Sequence, residues 1–217
     1  MRMDSGLCVL HLFCTVGSGV DRDAALAAVQ RADDAGCQVI TAAILGHKGD
    51  VAFMALADDL TVLRRLQTEL QAAGLHVADS YVSITEVSEY AAGMPAEMLQ
   101  SRLHPTIPPD GMRAFCFYPM SKRREAHANW FATPYEERRD MMMEHGTSGR
   151  KFAGRIAQLV TGSTGLDDHE WGVTLFGVDL GDVKDVVYTL RFDKGSALYG
   201  DFGAFYVGYL AYLDDLI

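Results

Sequence analysis

The order of the predicted strands and helices is the feature that most limits what this chain can fold into. Apolar residues at helical spacing followed by a glycine predict helices, and short runs of β-prone residues predict strands. In the first part of the sequence these patterns predict a strand at 9–16, a helix at 21–36, strands at 37–45 and 51–56, a helix at 58–74 and a strand at 76–87. This β-α-β-β-α-β order is the ferredoxin-like signature.

The same order returns after a segment rich in proline. Residues 91–112 contain four of the six prolines and no long periodic segment, which predicts a linker. The elements predicted beyond it are a strand at 113–118, a helix at 134–149, strands at 156–161 and 171–178, a helix at 180–190 and a strand at 198–210. We therefore predict an α+β fold of the dimeric α+β barrel type. Its halves are residues 1–92 and 113–217, and residues 93–112 connect them.

Charge and composition exclude several classes of function. The chain has 19 basic and 29 acidic residues, a net charge of −10. Such a charge argues against general binding of nucleic acid or of an anionic membrane surface. No apolar stretch approaches the roughly 20 residues of a membrane-spanning helix. The four cysteines lack metal-ligand spacing and lie mostly in apolar runs, so we expect buried free thiols and a cytoplasmic protein.

A local basic run follows an aromatic strand in the second half. The sequence FCFYPMSKRR at 115–124 places Tyr118 shortly before Lys122, Arg123 and Arg124. One interpretation is a solvated loop after a strand. The other is a site for an anionic ligand, because lysine and arginine recognise carboxylates and phosphates, with Tyr118 at its lip.

His145 is the histidine with the most distinctive surroundings. It lies in MMMEHGTSGR, behind three methionines and close to the predicted end of a helix. A structural histidine and a haem ligand in an apolar surrounding are both compatible with this context. No zinc-protease, nucleophile-elbow or phosphate-loop motif occurs in the sequence.

Taken together, these motifs resemble one family. YPMSKRR, a helix ending in EHGxxGR, TGSTGLDDxEWGVTLF and RFDxxSAxYxxFGxFYVG occur in the order seen in coproheme decarboxylases of the chlorite dismutase-like superfamily. The resemblance covers about residues 80–210, with weaker support from LGHKGDVAFM. It implies two ferredoxin-like halves per subunit, with the haem site in the second half, and a homopentamer.

The resemblance also implies roles for individual residues. His145 matches the proximal iron ligand and Tyr118 the redox-active, propionate-contacting tyrosine. Arg102 (in RLHPTIPP), Lys122 and Ser196 match residues that bind propionates. Gln158 falls in the distal pocket, where chlorite-decomposing relatives carry arginine, which speaks against chlorite chemistry.

The reaction implied is the conversion of Fe-coproporphyrin III (coproheme) to haem b. Hydrogen peroxide oxidises the iron, the oxidising equivalent reaches Tyr118, and its radical takes a hydrogen atom from a propionate. Carbon dioxide leaves and a vinyl group forms, twice. A coproporphyrin ferrochelatase would be the partner that delivers the substrate. Alternatives are a chlorite dismutase-like or peroxidase-type haem enzyme, a non-catalytic haem carrier, or a plain oligomerisation module.

Overall fold

A computed structural model describes residues 1–91 and 93–217. The first part of the chain forms six elements: β1 (Cys8–Thr15), α1 (Arg22–Asp34), β2 (Gln38–Ile44), β3 (Val51–Ala57), α2 (Leu60–Ala72) and β4 (His76–Thr85). The remainder forms α3 (Ala96–Leu103), β5 (Ala114–Lys122), β6 (Arg124–Glu125), β7 (Ala128–Asn129), α4 (Tyr135–Arg150), β8 (Ile156–Gly162), β9 (Trp171–Gly177), α5 (Leu180–Leu190), α6 (Lys194–Ala197), β10 (Gly200–Phe202) and β11 (Tyr206–Leu210). Single 3₁₀ turns follow β7 and β11, at Trp130–Ala132 and Leu213–Asp215.

The helices that cover the sheet begin at aspartate caps. The side chains of Asp21, Asp59 and Asp179 accept hydrogen bonds from backbone N–H groups in the first turns of α1, α2 and α5. Such a cap satisfies donors that have no partner within the helix and contributes about 1 kcal/mol. The caps and the apolar spacing explain why these helices lie close to the predicted positions.

The strands close into a barrel. Each half has the ferredoxin-like strand order, β4-β1-β3-β2 in the first and β8-β9-β5-β11 in the second. Two antiparallel seams join them: β4 pairs with β8 through Ile84 and Gly162, and β11 pairs with β2 through Gly208 and Ile44. The predicted α+β barrel is confirmed, and the closure leaves few edges exposed to other chains.

The apolar side chains form three cores, one inside the barrel and one on the outer face of each half. The barrel interior holds aromatic and aliphatic side chains, among them Phe13, Phe117 and Phe176. The outer face of the first half is covered by α1 and α2, whose Leu63, Leu66 and Leu70 are buried. The outer face of the second half is covered chiefly by α5. This last face carries the side chains that the sequence singled out.

Three details differ from the sequence prediction. The segment predicted as a linker contains α3, and the predicted boundary at residue 92 lies outside the described residues. The strand predicted at 198–210 is replaced by β10 and β11, with a break before Tyr206. Strand β5 runs on to Lys122, so it is longer than the strand predicted at 113–118 and Tyr118 lies within it. The break lies beside Pro119, which has no N–H to donate to a neighbouring strand; its carbonyl accepts from Gly203 instead.

No helix among the described residues is both long and apolar enough to cross a lipid bilayer.

Candidate active site

Tyr118 lies on the outer face of the second half. It is 5% exposed, and its ring stacks on Phe205 with 4.4 Å between centroids and tilts against Phe202 at 5.9 Å. Its hydroxyl has no hydrogen-bond partner within the described part of the chain. Burial raises the pKa of Tyr118 well above its ordinary value. The side chain is thus a neutral phenol whose O–H is free to meet a ligand.

Helix α4 crosses this face without burying an apolar stripe. Of its sixteen residues, all described, Ser148 alone is buried, whereas Met141, Met142 and His145 are only partly covered. The helix packs mainly against α5 and α6 and not on the strands. Acidic residues in its first turn and Arg150 in its last turn interact favourably with the helix dipole. This interaction adds stability to a helix that has few core contacts. Helix α4 therefore keeps partly exposed side chains, His145 among them, that a ligand could cover.

His145 is oriented by a buried carboxylate. Its Nδ1 lies 3.2 Å from Oδ2 of Asp193, whose other oxygen accepts a hydrogen bond of 2.8 Å from the Ser148 hydroxyl. Oδ2 is buried and has no partner of full hydrogen-bond geometry among the described residues, so a small rotation of the imidazole would complete the bond. With Nδ1 facing Asp193, Nε2 is the ring nitrogen available to a metal.

Electrostatics keep this imidazole neutral. Burial, and then the positive charge of Lys122, lower the pKa of His145, while Asp193 opposes them. A neutral ring is the form that binds a metal ion.

Lys122 is a buried cation at the end of β5. Its Nζ donates a hydrogen bond of 2.6 Å to the carbonyl of Gly195 and lies 4.5 Å from the centre of the Trp130 ring. Burial lowers the pKa of Lys122 to about 8, although Glu170 opposes the shift. In this structure Lys122 forms no ion pair with an acidic side chain of the described residues, so its charge is available to an incoming anion.

A cleft of about 460 Å³ opens beside Tyr118. Phe202 and Phe205, which contact the tyrosine, form part of its wall. Ser196 lines it together with Arg123 and Arg191. The cleft thus presents one hydroxyl and two guanidinium groups close to the aromatic residues around Tyr118. Such a lining suits an aromatic ligand that bears carboxylates.

The structure does not bring all predicted site residues together. Gln158 lies on β8 and is exposed on the same sheet face as Tyr118; β9 separates the two strands, which puts them roughly 10 Å apart. Arg102, near the end of α3, is exposed and makes no hydrogen bond or ion pair with the other candidates in the described chain.

Asp193 and Arg191 are residues that the sequence analysis missed. Both belong to the RFD segment at 191–193, which shows no helical or strand periodicity. The Arg191 guanidinium lies 4.7 Å from the Phe202 ring, and its charge tends to lower the pKa of Tyr118. A buried aspartate pairs with a histidine far away in the sequence only through the fold, so spacing alone cannot reveal it.

These residues fit an iron porphyrin held by one histidine. The described residues contain no group of three or more His, Cys, Asp and Glu side chains that could hold a bare metal ion. A single imidazole backed by a carboxylate, on a helix that also carries methionines, is a donor set that suits haem.

Comparison with known proteins places the chain in a family. The chlorite dismutase sequence profile matches residues 21–211. The chain belongs to the chlorite dismutase family.

Within that family, two curated relatives are called coproheme decarboxylase. The one from Staphylococcus saprophyticus is 43% identical over 185 residues, 80% of this chain and 73% of its own length. The one from Staphylococcus carnosus is 43% identical over 179 residues, 77% and 70% of the two lengths.

Solved structures of other proteins share the fold. A haem-binding protein from Thermus thermophilus superposes with a TM-score of 0.87 at 33% identity, covering 98% of this chain and 93% of that one. Chlorite dismutase from Candidatus Nitrospira defluvii, in complex with imidazole, gives 0.77 at 19% identity, covering 99% and 94%. The resemblance inferred from the motifs is thereby confirmed at the level of family and fold.

Proposed function

We propose that this protein is a coproheme decarboxylase, which converts two propionates of Fe-coproporphyrin III to vinyl groups and yields haem b. The observation that carries the proposal is the unpartnered phenol of Tyr118, buried beside a cleft with two arginines and on the sheet face that α4 crosses with His145. The names and identities of the staphylococcal relatives support the same activity.

The residues divide the work of binding. His145 would bind the iron through Nε2, and Asp193 would fix the imidazole and strengthen it as a donor. Lys122, Ser196 and Arg102 would bind propionates, and Arg191 and Arg123 join this set because they line the cleft. Several cations around one ligand explain how a chain of charge −10 recognises a polyanionic porphyrin.

Tyr118 would perform the chemistry on the propionate. When bound, the porphyrin iron supplies the oxidising equivalents after reaction with hydrogen peroxide. The phenol of Tyr118 would lose a hydrogen atom, and its radical would take one from a propionate C–H group. The carbon radical so formed would give up a second electron to the remaining oxidising equivalent and release carbon dioxide, which leaves the vinyl group. Phe202 and Phe205 hold the ring and exclude water from it. Gln158 offers no cation on the distal side to retain a reactive oxyanion, which disfavours chlorite as the substrate.

The wider setting is part of the proposal. The second half, residues 113–217, would carry the haem site on a scaffold completed by the first half. The protein would work in the cytoplasm as a homopentamer and receive coproheme from a coproporphyrin ferrochelatase.

The substitution Tyr118→Phe tests the proposal. The ring remains and at most one neutral hydrogen bond is lost, about 0.5–1.5 kcal/mol, so coproheme should bind within roughly tenfold of the parent affinity. Mass spectrometry during a peroxide titration should show two successive losses of a carboxyl group in the parent and none in the variant.

A matched control is Tyr209→Phe, which removes an exposed hydroxyl from β11 and should leave both losses unchanged. Haem b formation by Tyr118→Phe at the parent rate would refute the assignment of Tyr118. A parent protein that binds no coproheme would refute the function itself.

A further inference from the structure

A second buried tyrosine lies on the other side of the same sheet. Tyr206 faces the barrel interior at the start of β11 and is 5% exposed. Its hydroxyl donates a hydrogen bond to Oδ2 of Asp79 on β4. Asp79 is itself exposed, so this phenol has both a proton acceptor and a connection to solvent.

Aromatic side chains connect this tyrosine with Tyr118. Phe205, which stacks on Tyr118 at 4.4 Å, is the residue before Tyr206. Tyr206 pairs with Phe117, the residue before Tyr118, and their rings are 6.4 Å apart. Strand spacing and rise then put the backbones of the two tyrosines roughly 6 Å apart. The two rings lie on opposite faces of this one layer of sheet, and an electron would pass between them through the backbone and the adjoining rings of Phe117 and Phe205.

The two phenols differ in how easily they are oxidised. Loss of an electron makes a phenol strongly acidic, so oxidation is easier where a base can take the proton at once. Tyr206 has such a base in Asp79, whereas the Tyr118 hydroxyl has no partner within the described chain. Tyr206 can therefore give its electron to an oxidised Tyr118 and its proton to Asp79 in one step, without forming a radical cation.

We propose that Tyr206 and Asp79 form a discharge site that reduces the Tyr118 radical when no propionate is within its reach. One electron passes from Tyr206 to Tyr118, the proton of Tyr206 passes to Asp79, and Tyr118 regains a proton from water in the cleft. Tyr118 is again a phenol, and a thiol reductant from solution can later reduce the Tyr206 radical. The inference rests on the proposed function, because the Tyr118 radical is the oxidant.

The test is electron paramagnetic resonance of samples frozen after peroxide is added to protein loaded with haem b, the product. The parent should accumulate a tyrosyl signal that Tyr206→Phe removes, leaving a longer-lived signal of Tyr118. Asp79→Asn removes the proton acceptor, so it should slow this transfer and lengthen the life of the Tyr118 radical toward that in Tyr206→Phe. Neither change should slow the first decarboxylation of coproheme.

Tyr81→Phe is the matched control. Tyr81 is also buried in the barrel and lies 5.3 Å from Phe117, but its partner is the neutral hydroxyl of Ser163. Its loss should leave the signal unchanged. The discharge site alone would be overturned if the Tyr118 radical had the same spectrum and decay in the parent and in Tyr206→Phe. A signal that only Tyr81→Phe removes would also overturn it. A coproheme-loaded parent that loses no carboxyl group when peroxide is added would overturn the proposed function and the discharge site with it.

Discussion

Lys122 shows how a single residue can be poised for an anion before the anion arrives. Burial of a charged ammonium costs free energy, and the nearby Glu170 only partly offsets it, so the pKa falls to about 8. A carbonyl and an aromatic ring are its partners, and both are weaker than a carboxylate. A bound propionate would stabilise the charged form and raise the pKa again.

This coupling predicts proton uptake on binding. Above pH 8 the empty protein holds Lys122 largely neutral, so coproheme binding should take up close to one proton between about pH 8 and 10; below pH 8 the lysine is already charged and uptake should vanish. Calorimetric titrations in buffers of different ionisation enthalpy measure this number. Lys122→Arg is the control, because arginine stays charged and should abolish the uptake while retaining affinity. Equal uptake in both proteins would show that another group titrates.

At the scale of elements, α2 in the first half and α4 in the second differ in packing. Helix α2 buries three leucines against the first half, whereas α4 buries only Ser148 among its described residues. Buried apolar contacts supply most of the stability of a helix in a protein. Helix α4 should therefore be the less stable of the two helices until a porphyrin binds against it.

Hydrogen exchange can measure this difference. Coproheme at a hundredfold excess over its dissociation constant should raise the local stability of α4 by up to about 2.7 kcal/mol, whereas α2 should change little. The variant His145→Ala should lose most of the added protection in α4. Protection of α4 that is already equal to that of α2 in the empty protein would contradict this account.

The elements also show what the sequence could predict. Strongly periodic segments such as α2 and α5 were located closely, because an apolar stripe and an aspartate cap are local signals. Helix α3 and the break before Tyr206 were missed. The first has no buried residue in the described chain to create a stripe, and the second depends on Pro119 in a neighbouring strand. The motifs located His145, but its pairing with Asp193 exists only in three dimensions.

The molecule as a whole depends on two seams that fix the halves to each other. At the seam between β11 and β2, the backbones approach so closely that a Cβ on Gly208 would lie 1.7 Å from the carbonyl oxygen of Ala43. Only glycine fits there, because backbone atoms cannot move aside as a flexible side chain does.

Gly208→Ala should therefore destabilise the entire protein by about 3 kcal/mol or more, the upper range for forced overpacking. Urea unfolding would measure the change in free energy. Gly17→Ala is the control, because no atom lies within 4 Å of the added Cβ, and it should change stability by less than about 0.5 kcal/mol. A small effect at Gly208 would mean that the seam can open without unfolding the barrel.

The contrast between the tightly covered first half and the loosely covered second half bears on how such a protein can change over generations. Because α1 and α2 are well packed, the first half contributes stability to the whole protein. The protein can then tolerate substitutions in α4 that would unfold a smaller, less stable domain. Residues on its Met-rich face are free to drift toward other flat ligands, while the strands that present Tyr118 stay constrained by the barrel. Sequence differences within the chlorite dismutase family should accordingly be frequent on α4 and rare on the strands that present Tyr118.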